Sequence, residues 1–266
     1  SYMQYYCIKL FNSDGEEIWY TSENEWTSTV GYRSDSYDLY LEKGTYYMQI
    51  NGYRYSTWDK STGKYVCNTS FAASDLSFNG SDNDFKTAKQ ISWNQAYTGQ
   101  ISENDDFDNY IFNVLRKQTI AINMTAYMKN YCIRIYETDG TEIWYTDENY
   151  WNETVGYRRD EYNIYLEKGT YYIQINGYAY RTYQKSTGEY TCRTSFTSSG
   201  VTNREEDNSF ADANNITIGN QIVGQISEND DFDTYKFTLS QVGCVNLDMT
   251  SYMRYYCIRL FDLNGE

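Results

Sequence analysis

The sequence predicts an all-β chain of tandem, jelly-roll-like β-sandwich domains, and three observations predict it. The chain repeats at a fixed offset of 125 residues: Ser1-Tyr2-Met3 returns as Ala126-Tyr127-Met128 and again as Ser251-Tyr252-Met253. Within each period, short runs alternate apolar with polar or aromatic side chains, the period-two mark of a half-buried strand. Turn dipeptides such as Asp139-Gly140, Lys168-Gly169, Asn176-Gly177 and Thr187-Gly188 separate those runs, as in sandwiches and barrels. The period far exceeds the roughly 20–50 residues of a solenoid unit and matches a whole domain. The 266 residues open and close inside a repeat, which reads as a window on a longer polypeptide.

The middle period shows the elements in order. Tyr110–Val114, Ile120–Met124 and Cys132–Tyr136 read as strands, and Glu142–Thr146 completes a hairpin across Asp139-Gly140. Tyr162–Leu166, Tyr171–Ile175 and Tyr190–Phe196 follow. Tyr110, Phe112 and Val114 share one face and belong to the core. Only Phe85–Gln90 and Phe210–Asn214 hint at a helical turn. The Ser/Thr/Gly/Asn-rich segments Asn68–Asn79 and Arg193–Arg204 lack periodicity and read as linkers. The expected division is residues 1–71 as the C-terminal part of one sandwich repeat, 80–196 as a complete repeat, and 205–266 as the N-terminal part of a further one.

Composition narrows the function. The net charge of −15 argues against nucleic acid, which needs clustered Lys and Arg. Acidic excess favours solubility and hard cations such as calcium. With 32 Tyr the chain is too aromatic to be disordered. Histidine is absent, which removes the commonest general base and zinc ligand. No phosphate loop or nucleophile elbow is present either, so the chain is expected not to be an enzyme. No apolar run is long enough to span a membrane.

Six cysteines follow the repeat in part. Cys7 and Cys67 lie 60 residues apart, as do Cys132 and Cys192. Regular pairs without metal-type spacing read as disulfides and an oxidising compartment. A staggered pairing, Cys67 with Cys132 and Cys192 with Cys257, stays open as a staple between neighbouring domains. Cys244 has no counterpart, because Thr119 occupies that position.

The run from Glu205-Glu-Asp-Asn-Ser-Phe210 through Ala213, Gly224-Gln-Ile226 and Asp230-Asp-Phe-Asp-Thr-Tyr-Lys-Phe237 resembles bacterial pre-peptidase C-terminal domains. The middle copy repeats those landmarks with Asp82-Asn83-Asp84-Phe85, Ala88, Gly99-Gln-Ile101 and Asp106–Phe112, and continues with Lys168–Tyr172 and Gly188-Glu-Tyr190. The family is related to the collagen-binding domains of secreted bacterial collagenases, in which an acidic arm and an acidic loop share calcium. That resemblance implies calcium at Glu205, Asp207, Asn208, Asp230, Asp231 and Asp233. It implies a weaker or absent site at Asp82, Asn83, Asp105, Asp106 and Asp108, where Gly80 and Ser81 replace the two glutamates. The repeated aromatics Trp19/Trp144, Trp26/Trp151, Tyr53/Tyr178 and Tyr55/Tyr180 are candidates for core packing, domain contacts or ligand stacking.

These readings converge on a non-catalytic extracellular or cell-surface repeat protein forming a stalk, fibre or filament, with copies of itself as partners. A binding module for polypeptide or carbohydrate, appended to a secreted hydrolase, is the alternative.

Overall fold

The structure, a computed structural model, describes residues 5–21, 24–25, 34–53, 60–74, 76, 83–146, 149–150, 158–179, 185–197 and 207–262. The first copy supplies β1 (Tyr5–Phe11), β2 (Glu17–Tyr20), β3 (Asn24–Glu25) and β4 (Tyr47–Asn51), with β1 pairing to the other three. The middle copy supplies β5 (Lys89–Gln90), β6 (Ala96–Ile101), β7 (Phe107–Val114), β8 (Gln118–Ala126) and β9 (Asn130–Glu137). It continues with β10 (Glu142–Tyr145), β11 (Asn149–Tyr150), β12 (Arg158–Leu166), β13 (Gly169–Asn176) and β14 (Gly188–Thr197). In the last copy the strands are β15 (Asn214–Asn215) and β16 (Tyr235–Lys236).

The middle copy is a two-sheet sandwich. One sheet runs β10-β9-β13-β7-β5 with β11 also on β9, and the other runs β12-β8-β14-β6. From β6 onward successive strands change sheets, except that β9, β10 and β11 stay together. That order is a jelly roll, as the sequence predicts. All pairings in it are antiparallel apart from β5 with β7.

Period-two alternation builds the core. Ile120, Ile122, Met124 and Ala126 of β8 face Ile133 and Ile135 of β9, Ile173 and Ile175 of β13, and Tyr110, Phe112 and Val114 of β7; all are buried. Each such aliphatic side chain contributes roughly 1.5–3 kcal/mol on burial. β14 runs to Thr197, through the first five residues of the segment expected to be a linker, because Thr194 still points inward and is fully buried. The expected helical turn is a single 3-10 turn, Phe85–Thr87, capped by the Asp84 carboxylate on the Lys86 N–H. Phe85 stacks on Tyr172 at 4.6 Å, which clamps that turn to the outer face of the sheet.

Strand parity overturns the expected disulfides. All six cysteines are free thiols, and no pair lies at bonding distance. Ile133 and Ile135 take the core face of β9, so Cys132 points to the opposite face, its thiol near the Thr146 carbonyl at 3.7 Å. Cys192 shares parity with Tyr190 and lies inside the core of the other sheet. The two thiols therefore sit on different layers. Cys7 repeats the Cys132 arrangement against the Thr21 carbonyl at 3.5 Å, while Cys67 is exposed. The staggered alternative fails as well, since Cys67 and Cys257 are exposed while Cys132 and Cys192 are buried.

Candidate functional site

Two segments copied letter for letter meet in space. Leu41–Tyr47 and Leu166–Tyr172 both read LEKGTYY, and Gly99–Asp108 and Gly224–Asp233 both read GQISENDDFD. In the structure the first motif of one copy receives the second motif of the next. The Glu103 N–H donates to the Tyr40 carbonyl at 3.0 Å, and the Glu228 N–H to the Tyr165 carbonyl at 2.9 Å. The Asn104 amide donates to Tyr46 OH at 3.2 Å, as Asn229 does to Tyr171 OH at 3.2 Å. The side-chain oxygens of Asn104 and Asn229 accept from the N–H groups of Glu42 and Glu167. Ser102 donates to the Glu42 carboxylate, and Ser227 to that of Glu167.

Local structure prepares both halves. Tyr171 folds back over its own turn, its OH donating to the Glu167 carbonyl at 3.0 Å, and a Cβ on Gly169 would stand 2.9 Å from the Tyr171 hydroxyl oxygen. Glycine is needed there for close approach rather than for a left-handed backbone. On the other side, Gln100 and Gln225 hold Ser102 and Ser227 at 2.9 and 3.0 Å. These glutamines and serines are buried, so their bonds are shielded from water.

The two motifs lie at opposite ends of a copy. β7 begins after the 102–106 loop and ends at the 115–117 turn, where Gly169 pairs with Val114. The middle copy thus uses one end of its strands toward the first copy and the other toward the last.

Lys117, in the turn after β7, adds a charged contact. Its Nζ is 2.7 Å from Asp230 Oδ2, 3.1 Å from Asp233 Oδ1 and 3.2 Å from Glu167 Oε1. Burial lowers the lysine's pKa, but the hydrogen bonds to Asp230 and Asp233 and the charges of Asp233 and Glu167 outweigh it, so the ammonium is held above its usual range. Burial raises the pKa of Asp233, against the lowering effect of Lys117.

Of the expected calcium residues, Asp207, Asp230 and Asp233 come together, each offering an oxygen within 4.8 Å of the others. Asp207 also accepts from the Asn214 amide at 2.6 Å. Asn208 instead accepts the Phe232 N–H at 3.0 Å, and Asp231 is exposed. In the middle copy Asn83 accepts from the Phe107 N–H at 2.9 Å, and Asp106 pairs with Lys185 at 2.6 Å and Tyr178 OH at 2.9 Å. Asp108 takes the Tyr190 hydroxyl. Asp105 is buried with Oδ1 unbonded, and burial, then the charge of Glu42, pushes its carboxyl up to about 6. Glu205 and Asp82 lie outside the described residues.

Trp144 packs edge-on to Tyr162 at 5.7 Å on the rim of the core, and Trp19 repeats this against Tyr37 at 5.4 Å. Both of these ring contacts lie within their own copy. Tyr178 packs against Phe107, and Tyr53 lies beside Lys60. Trp26, Trp151, Tyr55 and Tyr180 fall outside the described residues. The residues that sequence reasoning missed are Lys117, Glu167, Ser227 and Asn229. The last three lie inside the copied runs, which was the available signal.

No family model matches the chain, and no curated protein does. Among solved structures, the chain is similar to the pre-peptidase C-terminal domain of a collagenase from Bacillus anthracis, at 20% identity over 40% of this chain and 93% of that one, with a TM-score of 0.31. It is also similar to PliG from Aeromonas hydrophila, a periplasmic inhibitor of g-type lysozyme, at 11% identity over 41% and 96%, TM-score 0.28. A third similarity is to the infectious bursal disease virus Gx strain structure, at 9% identity over 73% and 58%, TM-score 0.22.

Proposed function

We propose that this is a non-catalytic extracellular repeat protein whose tandem jelly-roll copies join end to end into a stalk, fibre or filament. The carrying observation is that the same donors and acceptors join successive copies at both ends of the middle one. Such a head-to-tail contact is heterologous and extends indefinitely unless its rotation closes a ring. In this reading the copies divide near residues 71–80 and 196–205, and the partner of each copy is another copy. The absence of histidine fits a scaffold rather than a catalyst. Among the described residues no helix is long and apolar enough to cross a membrane.

Electron microscopy of the native material tests this. Regularly beaded fibres, one bead per 125-residue repeat, are the expected result. Compact particles carrying a hydrolase domain, with no fibres, would move the conclusion to the appended binding module.

A further inference from the structure

We infer that Lys117 is the resident cation of the acidic pocket on the following copy, standing where the family resemblance would put calcium. Lys117 would hold this place whether or not the chain forms fibres.

The pocket is built from two copies. Asp207, Asp230 and Asp233 come from the last copy, and Glu167 with Lys117 from the middle one. A primary ammonium has three donors, and here three carboxylates surround it at 2.7, 3.1 and 3.2 Å. The lysine is 5% exposed and Asp230 5%, so neither is a solvated surface group. Calcium would need six to eight oxygens at about 2.3–2.6 Å. It would draw on the Asp230 and Asp233 carboxylates that the ammonium already engages, and the two cations would repel at close range. The donor set therefore fits an ammonium and not a metal beside it. Asp230 Oδ1 is left without a hydrogen-bond partner, a single spare oxygen where calcium needs six to eight.

The sequence adds a second, independent point. One period after Lys117 the residue is Val242. The acidic run GQISENDDFD is copied without change while the lysine is not. Residue 117 thus decides whether the pocket on the last copy receives an ammonium.

The test uses the whole chain with calcium as the probe. Wild-type protein should melt at the same temperature in millimolar calcium and in chelator. Lys117→Val, the residue found one period on, should melt several degrees lower in chelator and recover in calcium. It should also gain Tyr-sensitised terbium emission, since Tyr235 OH lies 3.5 Å from Asp233. A wild-type melt that falls by several degrees in chelator would overturn the inference, because metal and lysine would then act together. So would a variant whose melt calcium does not raise. Should the variant fail to fold, amine labelling of the wild type decides: Lys117 should resist dimethylation long after exposed Lys168 has reacted, and equal rates would refute its place in the pocket.

Discussion

Replacing Tyr190 with Phe removes one oxygen from the middle of the sandwich. Tyr190 is 1% exposed on β14, and its hydroxyl donates to Asp108 on β7 and meets Tyr110 OH at 2.5 Å. The phenol thus ties the two sheets together through a carboxylate that is itself buried. Burial first, then the charges of Tyr110 and Asp108, pushes its ionisation well above the usual value, so it stays a neutral donor. A hydrogen bond to a charged group is worth about 1.5–3 kcal/mol, and a buried carboxylate left one donor short adds to the loss. Together these predict about 3 kcal/mol, or a melting temperature lowered by about 10 °C for a domain of this size. Urea unfolding should show the midpoint falling with the slope unchanged. A loss below about 0.5 kcal/mol, the range of neutral surface changes, would refute the claim that this bond braces the sheets.

Three further outcomes follow from the same geometry. Asp105 holds its proton to about pH 6 in the fold, against about 4 unfolded, so the folded state binds more protons between those values and stability falls as pH rises through them. Asp105→Asn should therefore stabilise the protein at pH 7 by up to about 3 kcal/mol and make no difference at about pH 3, below the unfolded value, as read by thermal melts across pH. Cys192 is pushed up to about 12 by burial, so iodoacetamide followed by mass spectrometry should label Cys67, Cys244 and Cys257 quickly and spare Cys132 and Cys192 until unfolding. Gly177→Ala would place a Cβ 1.9 Å from the Ser186 carbonyl oxygen, and denaturant titration should show a loss of about 1–3 kcal/mol or more.

The strands were legible because their side chains alternate: Tyr110, Phe112 and Val114 declare one face in sequence alone. Parity could also have refused the disulfides, since Cys132 sits between Tyr131 and Ile133 and cannot face the core with them. The pairing was drawn from spacing, and spacing does not see which side of a sheet a thiol is on. The junctions were visible as letter-for-letter runs, but a copied run does not say what it touches. Lys117 had no such signal. It belongs to a turn that varies between copies, and only folding brings it to carboxylates more than a hundred residues ahead.

The placement of the two junctions at opposite ends of β7 has a mechanical consequence. In the proposed fibre, tension passed from copy to copy would run along the strands, so the ladder bonds between β7 and β13 would lie across the load. Their eight register pairs, Phe107 with Asn176 through Val114 with Gly169, are sheared together rather than peeled singly. The small set of polar contacts at each junction offers far less resistance. A stretched array should therefore lengthen by parting its copies while each sandwich stays folded, and shorten again when the load is released.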